Sequence, residues 1–198
     1  FAFENCTSLE QITLPSSVKK IGKFCFNNCK SLKKVTIPSS VTTLEIYLFK
    51  NCGSLETIDG SFSILENCCF YGCKSLSKIN NKSAITEIGE RVFDGCSSLK
   101  SIDFSSVKKM NANALSNCSI ELFTILPFST TITKESFYGH FTFKSITIPS
   151  SVKAIGDNAF NNCKSLESIE IPSSVTSIES SAFSECSSLK SITIPSSV

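Results

Sequence analysis

Leu166-Glu167-Ser168-Ile169-Glu170-Ile171-Pro172-Ser173-Ser174-Val175-Thr176-Ser177-Ile178, continued through Ala182-Phe183 to Cys186, holds every fixed position of a unit that recurs along the chain. Leu-x-x-Ile-x-Ile is β-branched and ends in period-two alternation, which predicts a short strand. Pro-Ser-Ser predicts a turn, because proline fixes φ and offers no backbone donor, so it suits a strand end. Val175 and Ile178 open a return leg. Ala182-Phe183 closes it by setting a small residue beside a large one.

Working outward, Pro-Ser-Ser-Val occurs at 15–18, 38–41, 149–152, 172–175 and 195–198, with prolines 23, 111, 23 and 23 residues apart. A second phrase, Cys-x-Ser-Leu, begins at Cys6, Cys29, Cys52, Cys73, Cys96, Cys163 and Cys186. Its leucines, Leu9, Leu32, Leu55, Leu76, Leu99, Leu166 and Leu189, are spaced by 23, 23, 21, 23, 67 and 23. The gap of 67 hides two degenerate units, with Ile120 and Phe143 in the leucine slots. A unit of 23 residues cannot bury its own apolar positions, so successive units must stack. The expectation is one repeat domain over 1–198, a right-handed solenoid of eight to nine turns, each with one short parallel strand and little helix.

Composition narrows the function. Among 198 residues, 19 Lys and Arg against 17 Asp and Glu leave a net charge of +2, too weak a field for nucleic acid as the main partner. No apolar run approaches the roughly 18 residues of a membrane-spanning helix. One His, one Met, no Trp and 8 Gly give neither a phosphate loop nor a catalytic phrase. No cofactor is expected. The sequence starts at Phe1 without Met and stops inside Pro195-Ser196-Ser197-Val198. We therefore expect a fragment of a longer protein, without capping repeats and prone to end-to-end self-association.

Joined to the strand, Pro-x-Ser-Val-x-x-Ile-Gly-x-x-Ala-Phe-x-x-Cys-x-x-Leu closely resembles the BspA-like, or Treponema pallidum-type, leucine-rich repeat. Ile155-Gly156-Asp157-Asn158-Ala159-Phe160-Asn161-Asn162-Cys163-Lys164-Ser165-Leu166 matches it at nearly every fixed position. The resemblance implies a right-handed solenoid of the kind found in bacterial and protist surface proteins that resemble adhesins. It carries no catalytic residue. The chain departs from the pattern at 58–66 and 100–143, where proline is lost and the spacing shortens.

Eight of the 11 Cys, the seven above and Cys118, recur once per turn, and Cys25 and Cys69 hold the slot of Ala159 and Ala182. This predicts a buried, reduced column rather than disulfides or zinc, since stacked side chains run parallel and no His completes a metal set. Cys68 lies outside that framework and is expected to react first. His140 takes the Cys slot of its turn and has no nucleophile or orienting acid in sequence.

Behind the leucine slot, outward charge alternates: Glu10, Lys33, Glu56, Ser77, Lys100, Glu121, Lys144, Glu167, Lys190. Two roles fit. One is a ladder that fixes stacking; the other is a candidate partner-binding face of Lys33, Lys34, Glu56, Asp59, Lys78, Lys100, Asp103, Glu121, Lys144, Glu167 and Glu170. Leu122, Phe128, Tyr138 and Phe141 fit no core slot and form a candidate apolar patch. Asn5, Asn81 and Asn117 head sequons and are candidate glycan sites. Together these features predict a non-enzymatic protein-binding module of a cell-surface or secreted protein, taking a host or matrix protein or a glycan. The alternative is a cytoplasmic scaffold or regulator of protein interactions, for which unpaired Cys are natural.

Overall fold

The computed structural model describes residues 1–103, 106–110, 114–120, 122–124, 131–132, 137 and 143–198, with 122–124 as backbone. The chain divides into two compact units, Phe1–Ser119 and Ile120–Val198. The first contains β1 (Gln11–Ile12), β2 (Lys34–Thr36), β3 (Thr43–Leu44), β4 (Thr57–Gly60), β5 (Ile64–Leu65), β6 (Lys78–Asn81), β7 (Glu87–Ile88) and β8 (Lys109–Met110). The second contains β9 (Leu122–Thr124), β10 (Thr131–Ile132), β11 (Ser145–Thr147), β12 (Ala154–Ile155), β13 (Ser168–Glu170) and β14 (Ser177–Ile178). Among the described residues there is no helix.

Every strand pairs in parallel with its copy one turn away. In the first unit the orders are β1-β2-β4-β6 and β3-β5-β7-β8; in the second they are β9-β11-β13 and β10-β12-β14. Gln11 stands opposite Lys34 and Ser145 opposite Ser168, which is the 23-residue period made physical. Each unit is therefore a β-solenoid. One strand per turn was expected, and the structure corrects this to two. The return leg supplies the second strand, with one residue turned inward, as at Thr43–Leu44. Two residues show no periodicity in sequence, yet stacked copies satisfy even so short an extended segment from both sides.

The Pro-Ser-Ser-Val phrase forms the predicted turn. The N–H of Val18, Val41, Val152, Val175 and Val198 donates to the carbonyl of the proline three residues before, at 2.9–3.2 Å. Ser174 and Ser197 donate their hydroxyls to Val152 O and Val175 O of the preceding turn, at 2.8 and 2.6 Å. The second serine thus ties turn to turn, a role for which Ala would lack the donor.

The core is a set of columns. Phe3, Phe26, Phe49, Phe70 and Phe93 stack ring on ring with centroids 5.4–5.7 Å apart, and Phe137, Phe160 and Phe183 repeat this at 5.1 and 5.2 Å. Leu32, Leu55, Leu76, Leu99 and Leu166 are fully buried, and so are Ile120 and Phe143 in the degenerate leucine slots. Each such side chain contributes roughly 1.5–3 kcal/mol of burial.

The cysteine column does more than fill space. Each thiol donates to a phenylalanine carbonyl of the preceding turn: Cys29 to Phe3, Cys52 to Phe26, Cys73 to Phe49, Cys96 to Phe70, Cys118 to Phe93, Cys163 to Phe137 and Cys186 to Phe160, at 2.9–3.2 Å. The same carbonyl accepts the backbone N–H of its own turn's Cys, as when Cys29 N donates to Phe26 O at 3.1 Å. Both lone pairs of a buried oxygen are thereby used, which is why a thiol recurs there rather than a methyl group. The residue before this Cys is left-handed in every described turn: Asn5, Asn28, Asn51, Gly72, Gly95, Asn117, Asn162 and Glu185 all have positive φ. Asn and Gly tolerate that conformation best.

The shortened spacing at 58–66 is repaired by one side chain. Phe62 is fully buried, and a Cβ at Gly60 would lie 2.8 Å from its ring and 3.1 Å from Ile37. The ring takes the space above Ile37, so Gly60 is the residue that lets the turn close with two residues fewer.

Candidate functional site

The outward residues of the first sheets form the candidate site. Along β2 the burial alternates, with Lys34 and Thr36 exposed and Val35 buried, so successive strands present a flat grid of side chains. In the first unit Lys34 Nζ bonds Asp59 at 2.8 Å across the β2–β4 seam, and Asn80 Nδ2 donates to Asp59 Oδ1 at 2.6 Å from the next strand. The Lys34 hydrogen bond, then that of Asn80, holds the Asp59 carboxyl below the usual carboxylate range despite partial desolvation.

The alternating ladder is real where its ions meet. Lys33 pairs with Glu10 at 3.2 Å and Lys190 with Glu167 at 3.1 Å. These pairs are exposed, so each is worth at most about 1 kcal/mol and sets register more than stability. Glu56, Lys78, Lys100 and Glu170 are exposed with no ion pair among the described residues, whereas Asp103 and Lys144 are exposed and partnered. Glu121 lies outside the described residues, as do Phe128, Tyr138, Phe141 and His140; of Leu122 only the backbone in β9 is described.

At the three sequons the side chains are engaged. Asn5 is exposed, and its Oδ1 accepts from Asn28 at 2.9 Å. Asn81 Nδ2 donates to Phe62 O at 2.7 Å and to Ser83 O, which occupies both amide protons. Asn117 is exposed, with Nδ2 on the buried Asp94 at 2.8 Å.

Cys68 corrects its expected placement. It occupies the second left-handed slot of its turn, φ 57°, in line with Phe24, Tyr47, Arg91, Asn158 and Ser181, and it is 9% exposed. Desolvation pushes its thiol up, against the Tyr47 hydroxyl and the nearby Arg91. The exposed cysteine is Cys6, with Cys186 half-buried. Hydrogen bonding to Cys163 lowers Cys186 to about 7, while burial pushes Cys52 and Cys118 up to about 12. All 11 thiols are free.

A corner of the first unit escaped the sequence reading. Lys50 Nζ sits 4.7 Å over the Tyr47 ring and 5.6 Å over Tyr71, and Arg91 lies 5.0 Å over Tyr71 while bonding Asp94 at 2.8 Å. The signal was available: these residues stand in and just after the left-handed slot, where the second unit has Asn158, Asn161, Ser181 and Ser184.

Stacked parallel turns of about 23 residues, with a Leu-x-x-Ile-x-Ile strand and buried Cys and Phe columns, define a leucine-rich-repeat β-solenoid. The chain belongs to the BspA-type leucine-rich repeat family, whose pattern matches in six copies across 1–121, 57–140 and 130–198. It is similar to a leucine-rich repeat protein of Bacteroides ovatus, at 28% identity and TM-score 0.63, covering 100% of this chain and 70% of that one. The leucine-rich repeat protein of Treponema pallidum matches at 25% identity and TM-score 0.59, over 89% of this chain and 76% of its own. A leucine-rich cell surface protein of Faecalibacterium prausnitzii matches at 25% identity and TM-score 0.51, and this chain covers 62% of it. No curated protein matches the sequence.

Proposed function

We propose that the chain is a non-enzymatic protein-binding module of a surface protein, using the outward strand face to adhere to a host or matrix protein. The observation that carries this is the pre-ordered grid on β2, β4 and β6, where Lys34, Asp59 and Asn80 are locked across three strands. Side chains fixed before encounter lose less entropy on binding. Lys78 and Lys100, exposed on the same face with no ion pair among the described residues, add an attractive field for an acidic partner. The cell-surface description of the Faecalibacterium relative supports the location. Asn5 and Asn117, being exposed, are the better glycan acceptors; Asn81 is the poorer one.

One observation favours a second reading, a cytoplasmic scaffold: 11 free thiols suit a reducing compartment. The test is surface plasmon resonance of the immobilised chain against a panel of purified matrix proteins at two ionic strengths. Saturable, salt-weakened binding that slows with Lys33→Glu/Lys34→Glu supports the adhesive module. Absence of binding across the panel, or binding indifferent to charge reversal, overturns it.

A further inference from the structure

One corner of the first unit carries bulky residues that the fold does not ask for. Phe24, Tyr47 and Arg91 sit in left-handed backbone, at φ 58°, 58° and 52°, where large side chains are rarely found. In the second unit the same slot holds Asn158 and Ser181, and the next outward column holds Asn161 and Ser184. Small polar residues suffice there, with Asn161 Nδ2 donating to Asn158 Oδ1 at 2.8 Å. Strained backbone of this kind gathers where a site needs a particular side chain.

The bulky side chains form one ridge across the turns that end at Cys29, Cys52, Cys73 and Cys96. The Phe24 and Tyr47 rings lie 4.8 Å apart, and Lys50 Nζ is 4.7 Å over Tyr47 and 5.6 Å over Tyr71. Arg91 lies 5.0 Å over Tyr71, and Asp94 fixes its guanidinium through Nε and Nη2. Phe24, Tyr47, Lys50 and Tyr71 are half-buried, and Arg91 is exposed. Tyr and Arg lead the energetic centres of protein interfaces, and side chains already ordered lose less entropy on contact.

Charge says what covers the ridge. Two ion pairs along it are closed, Arg91 with Asp94 and Lys20 with Glu45 at 3.0 Å. Lys23, Lys50, Glu66 and Glu90 have no ion pair among the described residues, and they come one to a turn in that order. The first half of the ridge is therefore cationic and the second half anionic. A purely acidic or purely basic partner meets the wrong sign on one half. A second copy turned end for end meets the right sign on both. Lys23 then falls opposite Glu90 and Lys50 opposite Glu66, with the two-fold axis between Tyr47 and Tyr71. Two-fold contacts are isologous, so each of these pairs occurs twice.

We propose that this ridge is a homodimer interface, closed by a second copy of the chain packed antiparallel and side by side. It is separate from the strand face on β2, β4 and β6, and it stands whether or not that face adheres to a matrix protein. Sedimentation equilibrium over a range of protein concentrations, at low and high salt, tests it. The wild-type chain should show a monomer–dimer equilibrium that salt weakens.

Lys50→Glu alone and Glu66→Lys alone each put like charges at both copies of the contact, and each should raise the dimer Kd at least about tenfold. An equimolar mixture of the two variants faces opposite charges again and should recover the dimer. Lys23→Glu and Glu90→Lys, at exposed residues, repeat the exchange where folding has least at stake. A wild-type chain that stays monomeric to about millimolar concentration overturns the proposal. Association that ignores the reversals, as end-to-end stacking would, overturns it too. So does failure of both mixtures to recover what the single variants lose, with circular dichroism showing each variant folded.

Discussion

The outward strand faces of the two units differ, while the frame behind them is the same. On β2, β4 and β6 the first unit presents Lys34, Asp59 and Asn80, bound into a charged network, with Lys78 exposed beside them. On β11 and β13 the second presents Ser145, Thr147, Ser168 and Glu170, mostly hydroxyls, over a groove of about 510 Å³. The first unit has 14 Lys and Arg against 10 Asp and Glu, the second 5 against 7, so the units also lean to opposite sign. Behind them, Cys52 and Cys163 each donate to a Phe carbonyl at 3.0 Å, with the same stacked rings alongside. Fold and recognition are therefore written in different positions of one repeat. Interior slots must recur identically, and only the outward ones are free to vary.

The strongest attempt to break this comparison is to charge the shared frame. Ile58→Asp and Ile169→Asp each bury an unpaired carboxylate and should lose about 3–5 kcal/mol in urea unfolding followed by circular dichroism. Similar losses in both units are expected. Tolerance in one unit alone would mean the frames are not equivalent. A milder version is Cys52→Ala against Cys163→Ala, each leaving a buried Phe carbonyl one donor short, at about 1–3 kcal/mol.

Acid sharpens the contrast between faces. Because the folded Asp59 carboxyl lies below its unfolded value, it contributes stability above the usual carboxylate range that disappears as pH falls through the folded value. The stability gap between the wild-type chain and Asp59→Asn should shrink from pH 7 to pH 3 in urea titrations. Glu170 stands at the same strand position in the second unit, with no cation paired to it among the described residues. The smallest stability effect belongs to Lys33→Glu/Lys34→Glu, about 1 kcal/mol for each pair, because the Lys33–Glu10 pair is exposed and Lys34 is exposed over a half-buried Asp59. Its visible consequence should be slower partner association.

How much of this was legible follows from what repeats. The period, the Pro-Ser-Ser-Val turn, the Phe and Cys columns and the rescue of leucine slots by Ile120 and Phe143 stand in the sequence, because identical neighbours demand identical residues. The second strand did not, since two residues carry no period. Cys68 looked irregular only because its slot is defined by a left-handed φ shared with residues as unlike as Phe24 and Arg91. The thiol-to-carbonyl bonds needed the third dimension, for the partners are 24–26 residues apart. Of the candidate face, the ladder and its sign alternation were readable; which ions meet was not.

The central claim is that the same frame of buried, reduced thiols recurs in each unit, and counting thiols tests it most directly. Native protein treated briefly with N-ethylmaleimide at pH 8 and weighed by mass spectrometry should carry adducts at Cys6 and Cys186 only. The exposed Cys6 and the lowered thiol of Cys186 are the two within reach. In guanidinium all 11 should react. Disulfides along the column, or rapid native labelling of Cys52, Cys73, Cys96 or Cys163, would contradict the account.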